Sequence, residues 1–412
     1  MRPRNLLGKQ RSTGMLIETT AGELKTALMS VKPAIQRRST LPILSAVLIE
    51  DGAVIATDLD MEIRVKFAVK KCEGSAVIPF NQLYDLVRLL PADRSVRLQD
   101  TEYKNGGVFV TFQGGRYFLP SYSVVDYPRF SMPEDVREIA SPQGLLVALE
   151  ACQSFMSTEE TRYYLNGVCF GRDKDDTGVL VATDGHRLIA HDYAHDCDGS
   201  PILPRAMIVA LLRLCEPEKV LLHEQKMEFV LPGGGYLRCK LIDGTFPDWQ
   251  RVVPTIPPGS PRLFFEPLEM VSILNRLELG RGCRKRAGAS FCVDIATNAA
   301  GDLAIVSSEG MGGEECAERI ESGRAIDWTK LSGGIWSGNS GYIKELCRLN
   351  FSADQVELTA EGSGTPTVMR HEESKALMVI MPMRGGKAST STSLLALSRG
   401  GDNDADAVAQ VA

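Results

Sequence analysis

In VLVATDGHRLIAH, residues 179–191, an Asp, a Gly, a His and an Arg directly follow an apolar run. Asp184, His186 and Arg187 are residue types that move protons and hold anions. Hydrolysis built on them needs a nucleophile within hydrogen-bond reach of a base, and the chain carries neither a GxSxG elbow nor an HExxH pair. The same residues also make a plain polar turn at the end of a strand. Metal binding is a third chemistry, because His186, His191, His195 and Cys197 crowd into GHRLIAHDYAHDC. The His191–His195 spacing suits one helix face, but the Asp, Gly and Cys-Asp-Gly of this stretch predict a loop. The expectation is therefore no metal, no cofactor and no catalytic residue.

The totals narrow the class. The chain has 412 residues and a net charge of −6, which opposes nonspecific coating of nucleic acid by the whole surface but allows a basic patch on one face. Its 10 cysteines include no CxxC pair, so reduced, buried thiols in a cytoplasmic protein are expected. No run of about 18 apolar residues occurs, so no membrane helix is expected. The N-terminal MRPRNLLGKQRSTG is basic without an apolar core, unlike a secretory signal. The densest basic run is GRGCRKRAG from Gly280, read as a solvated loop.

The elements that hold these residues repeat. LYDLVRLLPADRSVRL from Leu83, IVALLRLCEPEKVLL from Ile208 and IKELCRLNFSADQVEL from Ile343 each predict an amphipathic helix, a polar turn and a short strand. Arg88, Arg213 and Arg348 occupy matching places. VIATDLDMEIRV from Val54 parallels VLVATDGHRLIA from Val179, with LAIVSSEGMGGEE from Leu303 a weaker third copy. LKTALMSV from Leu24, LLVALEAC from Leu145 and LEMVSILN from Leu268 open the units. The chain thus reads as three related α+β domains of roughly 120 residues, each with two helices and antiparallel sheets. Pro-rich joins lie near Ser131 and Val253. The boundaries are 1–14 for an extra N-terminal segment, 15–132, 139–256 and 261–384 for the domains, and 385–412 for a tail expected to be disordered.

Six motifs, RSTLPILSAVLIE from Arg38, ATDLDMEI from Ala56, TRYYLNGV from Thr161, VATDGHRL from Val181, LIDGTFPDW from Leu241 and VIMPMR from Val379, then appear in the order of a known family. The chain resembles the bacterial sliding clamp, the beta subunit of DNA polymerase III. The resemblance implies three clamp domains forming half of a ring, closed as a head-to-tail homodimer around double-stranded DNA. It implies a processivity factor and not an enzyme, with an ATP-driven clamp loader, the replicative DNA polymerase catalytic subunit and other clamp-binding-motif proteins as partners.

Carried over residue by residue, the family's peptide pocket falls on Leu165, Thr183, Gly185, His186, Arg187 and Leu188. A second stretch is Pro247, Arg251 and Val252, then Asn339 and Tyr342, and the last is Val379, Ile380, Met381, Pro382, Met383 and Arg384. Small Gly185 admits a ligand backbone, Leu, Val and Met give an adaptable apolar floor, and Arg187, Arg251 and Arg384 hold a motif's polar ends. DNA contact is implied for Arg38, Tyr163, Tyr164 and Arg205, though Asn81, Gln82 and Ala206 stand where basic residues are common. The ring closure implied by the family pairs Tyr117 and Leu119 of one subunit with Ile273 and Leu274 of the other. The same spacing of Ile273 and Leu274 also fits a buried helix stripe. Family members begin near Met15 and end just after MPMR, and SLLAL in the tail, Ser393–Leu397, vaguely resembles a clamp-binding peptide. The alternative function is a clamp-like accessory that binds clamp partners, or a host clamp, without encircling DNA.

Overall fold

The computed structural model describes residues 14–36, 40–101, 106–133, 135–280, 290–297, 304–309, 315–331, 334–350, 352–362, 364–371 and 374–384. Arg38, the basic run after Gly280, the residues before Gly14 and the tail from 385 onward lie outside them. The helices are α1 (Ala21–Val31), α2 (Phe80–Val87), α3 (Leu145–Gln153), α4 (Arg205–Leu211), α5 (Pro267–Gly280) and α6 (Ser340–Arg348). Each odd-numbered helix follows one strand, and each even-numbered helix is followed by three, so the element order recurs three times.

The apolar spacing of the helices sets their buried faces. Ala21, Leu24, Ala27, Leu28 and Val31 form the inward stripe of α1. Thr20 caps that helix by accepting from Glu23 N at 3.3 Å, which satisfies one of its orphan donors. In α5 the stripe is Met270, Ile273, Leu274 and Leu277, all buried. Asn339 caps α6, its Oδ1 accepting from Gly341 N at 2.9 Å and Tyr342 N at 3.2 Å.

The chain divides into two compact units. One holds residues up to Leu146 with Ala194–Asp243, and the other Val147–Tyr193 with the residues from Gly244 on. In the first unit a five-stranded antiparallel sheet runs Lys71–Glu73, Leu16–Thr20, Ser95–Asp100, Val108–Phe112, Gly115–Leu119. An eight-stranded sheet runs Arg137–Ala140, Lys219–His223, Lys226–Leu231, Gly235–Lys240, Met61–Lys66, Ala53–Thr57, Ala46–Glu50, Ser75–Pro79. Within it Met61–Lys66 pairs with Gly235–Lys240, so one ladder joins segments far apart in sequence. Ala53–Thr57 is buried at every position, which marks a central strand covered on both faces. The Pro-rich stretch before Ser131 is tied to this sheet: Tyr127 Oη donates to Ile55 O at 3.2 Å and Phe130 N to the buried Glu62 at 3.1 Å.

The second unit repeats the plan. Its main sheet contains, in order, Gly167–Arg172, Gly178–Thr183, Arg187–Asp192, Ala376–Ile380, Thr367–Arg370, Val356–Ala360, Arg262–Phe265 and Arg324–Ile326. A four-stranded sheet runs Glu315–Ile320, Ala304–Glu309, Cys292–Thr297, Ile335–Asn339. The stretch predicted as a loop around His191 is instead strand Arg187–Asp192. All its residues except Asp192 are buried, so no apolar–polar alternation marks it in the sequence.

Candidate functional site: a peptide-docking surface

The site is built on the turn between strands Gly178–Thr183 and Arg187–Asp192. Thr183 Oγ1 donates to Arg187 O at 2.7 Å and accepts from Gly185 N at 3.0 Å. Asp184 Oδ1 accepts from His186 N at 2.9 Å and from Arg187 N at 3.1 Å. Gly185 sits at φ +89°, a left-handed conformation that favours glycine. The Asp184 carboxylate is thereby used to shape the backbone. No acid–base dyad with His186 results, and the exposed imidazole leaves the turn for solvent.

Arg187 is the pin of the arrangement. Its Nε donates to Asp184 Oδ2 at 2.9 Å, Nη2 to Ser154 O at 2.6 Å, and Nη1 to Glu345 of α6. The guanidinium also lies 4.4 Å from the Tyr342 ring centre and 5.0 Å from that of Phe155. Burial alone would lower its pKa, but the Glu345 and Asp184 carboxylates outweigh burial and hold it above the usual arginine range. Burial, with the same carboxylates, pushes the Tyr342 hydroxyl up. Arg187, expected to hold a ligand's polar end, directs three of its N–H groups to Asp184, Ser154 and Glu345 within the chain. Arg251 and Arg384 are the exposed cations of the set, and Arg251 pairs with Asp248 at 2.7 Å.

Strand Ala376–Ile380 lies alongside, with Arg187 opposite Ile380 and Leu188 opposite Val379. Met381 N then donates to His186 O at 2.8 Å, and Met383 N to Ser337 O at 2.9 Å. These two bonds fix the segment after the strand, where Met381 and Met383 are 39% and 38% exposed and Leu188, Val379 and Ile380 are buried. Pro382 is half-buried between them. Leu165 is buried at the end of a 3₁₀ turn, Glu160–Leu165. Pro247, Arg251 and the 44%-exposed Val252 belong to a segment whose Gln250 Nε2 bonds Arg172 O at 2.8 Å. Asn339 serves as the cap of α6, which carries Tyr342 and Glu345 one turn apart.

Glu345, Phe155 and Ser154 are absent from the sequence-derived set. Glu345 acts across 158 positions of sequence, and its one local signal is the i, i+3 spacing from Tyr342 on a helix face. Among the described residues no group of three or more His, Cys, Asp or Glu is placed to hold a metal ion, and no helix is long and apolar enough to cross a membrane.

The other implied sites fare differently. Tyr163 is 53% exposed and meets Tyr164 edge-on at 5.8 Å between ring centres. Arg205 is partly buried at the start of α4, and that burial lowers its pKa. Tyr117 is 50% exposed on the outermost strand of the five-stranded sheet, while Leu119 is buried. Ile273 and Leu274 are the residues expected at a subunit contact. They are 1% and 0% exposed in the core of their own unit, because they occupy the inward stripe of α5.

A rigid polar turn beside a strand end that presents methionines has the chemistry to take up apolar side chains of an extended segment. Residues 15–131 match the N-terminal domain of the DNA polymerase III beta subunit, and residues 142–248 match its central domain. The beta sliding clamp of Caulobacter vibrioides is 37% identical over 251 residues, a stretch spanning 56% of this chain and 66% of that protein. That of Proteus mirabilis is 30% identical over 254 residues, 57% of this chain and 67% of that one. A sliding clamp from Bartonella birtlesii, solved bound to griselimycin, matches at 26% identity with a TM-score of 0.76, covering 90% of this chain and 100% of that one. The chain belongs to the family of bacterial DNA polymerase III beta subunits, the beta sliding clamps.

Proposed function

We infer that this chain is a non-catalytic processivity factor: a sliding clamp that encircles duplex DNA and tethers a replicative polymerase and other motif-bearing partners. Three clamp domains, 15–132, 139–256 and 261–384, would make half of a ring, and two copies would close it head to tail. The observation that carries the reading is the exposed Met381–Arg384 edge held against the Asp184–Arg187 turn, together with family membership. Two or three apolar anchors, each contributing about 2 kcal/mol, give affinity near the micromolar range once ordering costs are subtracted. Such weak binding lets partners exchange. Tyr163, Tyr164, Arg205 and Arg38 are the proposed DNA contacts, and loose phosphate contact suits sliding.

Closure would use the outermost strand Gly115–Leu119 of one subunit and the outermost strand Glu315–Ile320 of the other. A cytoplasmic site of action and loading by an ATP-driven clamp loader complete the proposal. The test is loading onto nicked circular DNA with the loader: retention on circles and loss on linearisation are expected. A protein that binds partner peptides yet is never retained on circles would instead be the clamp-like accessory.

A further inference from the structure

The turn that edges the docking surface is built a second time, in the other unit. Thr57 Oγ1 donates to Met61 O at 2.8 Å and accepts from Leu59 N at 3.1 Å. Asp58 Oδ1 accepts from Asp60 N at 3.0 Å and from Met61 N at 2.7 Å. Lys240 N donates to Asp60 O at 2.9 Å, as Met381 N does to His186 O at 2.8 Å. The five hydrogen bonds of the first turn are thus all reproduced. A Pro-aromatic segment recurs as well, Pro128-Arg129-Phe130 here and Pro247-Asp248-Trp249 there.

What differs is the chemistry on this frame. The position of Gly185 is taken by Leu59, held at φ +79°. A left-handed leucine is a strained backbone conformation, and its side chain is still 42% exposed. Neither backbone comfort nor burial explains a leucine here, and strained residues of this kind concentrate at ligand clamps. The position of Met381 is taken by Lys240. Beside Leu59 lies a cavity of about 140 Å³, large enough for one side chain, into which Arg129, Phe130, Lys226 and Lys240 also face. Its lining holds three cations and no carboxylate. Their counter-charges stand outside that lining: Glu50 on Arg129 at 2.8 Å and Asp60 on Lys240 at 3.0 Å. Lys226 lies 5.1 Å from the Phe130 ring centre. The Lys240–Asp60 pair is exposed, with side chains 52% and 80% accessible, so exchanging it for a ligand's carboxylate costs little.

We propose that this second turn is a separate docking point, and that its occupant is a short peptide segment carrying an aliphatic side chain beside carboxylates. Leu59 supplies the apolar contact, and Lys226 and Lys240 supply the donors. The site has the same frame as the Met381 surface but the opposite preference in its second anchor. A partner with two motifs would then engage one clamp subunit at two places, which raises its occupancy without tighter individual contacts. The proposal rests on the peptide-docking reading of the repeated turn, and its test separates the two.

The experiment uses the full chain and one probe, the peptide Ac-Glu-Asp-Leu-Leu-Glu ending in benzoylphenylalanine, photo-crosslinked and mapped by mass spectrometry. Adducts are expected within 57–60 or 128–131 in the wild-type chain. The Lys226→Glu, Lys240→Glu double variant should lower their yield about tenfold. Leu59→Gly, which relieves the backbone strain and therefore keeps the fold, should lower it several-fold, while Met381→Ala leaves it unchanged. No adducts at those residues, or adducts that survive charge reversal, would overturn the proposal. Adducts there without any near Met381 would uphold it while removing the reading of the Met381 surface.

Discussion

At the scale of single residues, the chemistry-bearing stretch is structural scaffolding for a surface made of plainer side chains. Arg187 is 9% exposed and joined to two carboxylates, so replacing it with Met strands both of them. A loss of about 3 kcal/mol in unfolding free energy is expected, read by urea denaturation. The two turns also differ in how their aspartates are held. Where Asp184 meets Arg187, Asp58 meets Met61, and burial, opposed by backbone hydrogen bonds, raises the Asp58 pKa. A raised folded-state pKa means the folded chain keeps a proton that the unfolded chain releases. Stability through Asp58 is therefore fullest below its unfolded value and declines as pH climbs through the folded one. Asp58→Asn, whose Oδ1 can still accept both backbone bonds, should flatten that decline in melting temperatures measured upward from pH 4. A steeper decline would contradict the assignment.

At the scale of elements, helices were readable because their apolar residues recur at i, i+3 and i+4, as Leu24, Leu28 and Val31 do in α1. Strand Arg187–Asp192 was not, since near-complete burial removes the alternation that announces a strand and turn residues flank it. The same ambiguity governs Ile273 and Leu274: an apolar stripe on a helix looks alike whether it faces a core or a partner. Their burial decides it, and Leu274→Ala should cost 2–5 kcal/mol of the chain's own stability by opening a cavity, as seen in chemical denaturation. The proposed docking surface draws its strand and turn residues from resemblance to a family. Glu345 was not legible in the sequence, because no local pattern ties a carboxylate on α6 to an arginine so remote in sequence.

At the scale of the whole molecule, the proposed ring closure would rest on strand edges more than on apolar knobs. Tyr117 stacks on Phe112 at 5.8 Å between ring centres and keeps half its surface exposed on an outermost strand. Tyr117→Glu should shift the solution mass from dimer to monomer while lowering the chain's own stability by about 1 kcal/mol or less. Unchanged mass would remove that edge from the closure proposal. The ladders that join Met61–Lys66 to Gly235–Lys240, and Arg187–Asp192 to Ala376–Ile380, carry a consequence for how such a chain can change. Each recurring segment donates backbone partners to another, so none can be excised or swapped alone without baring a raw row of amides and carbonyls. The recurring parts are alike in plan but are not interchangeable.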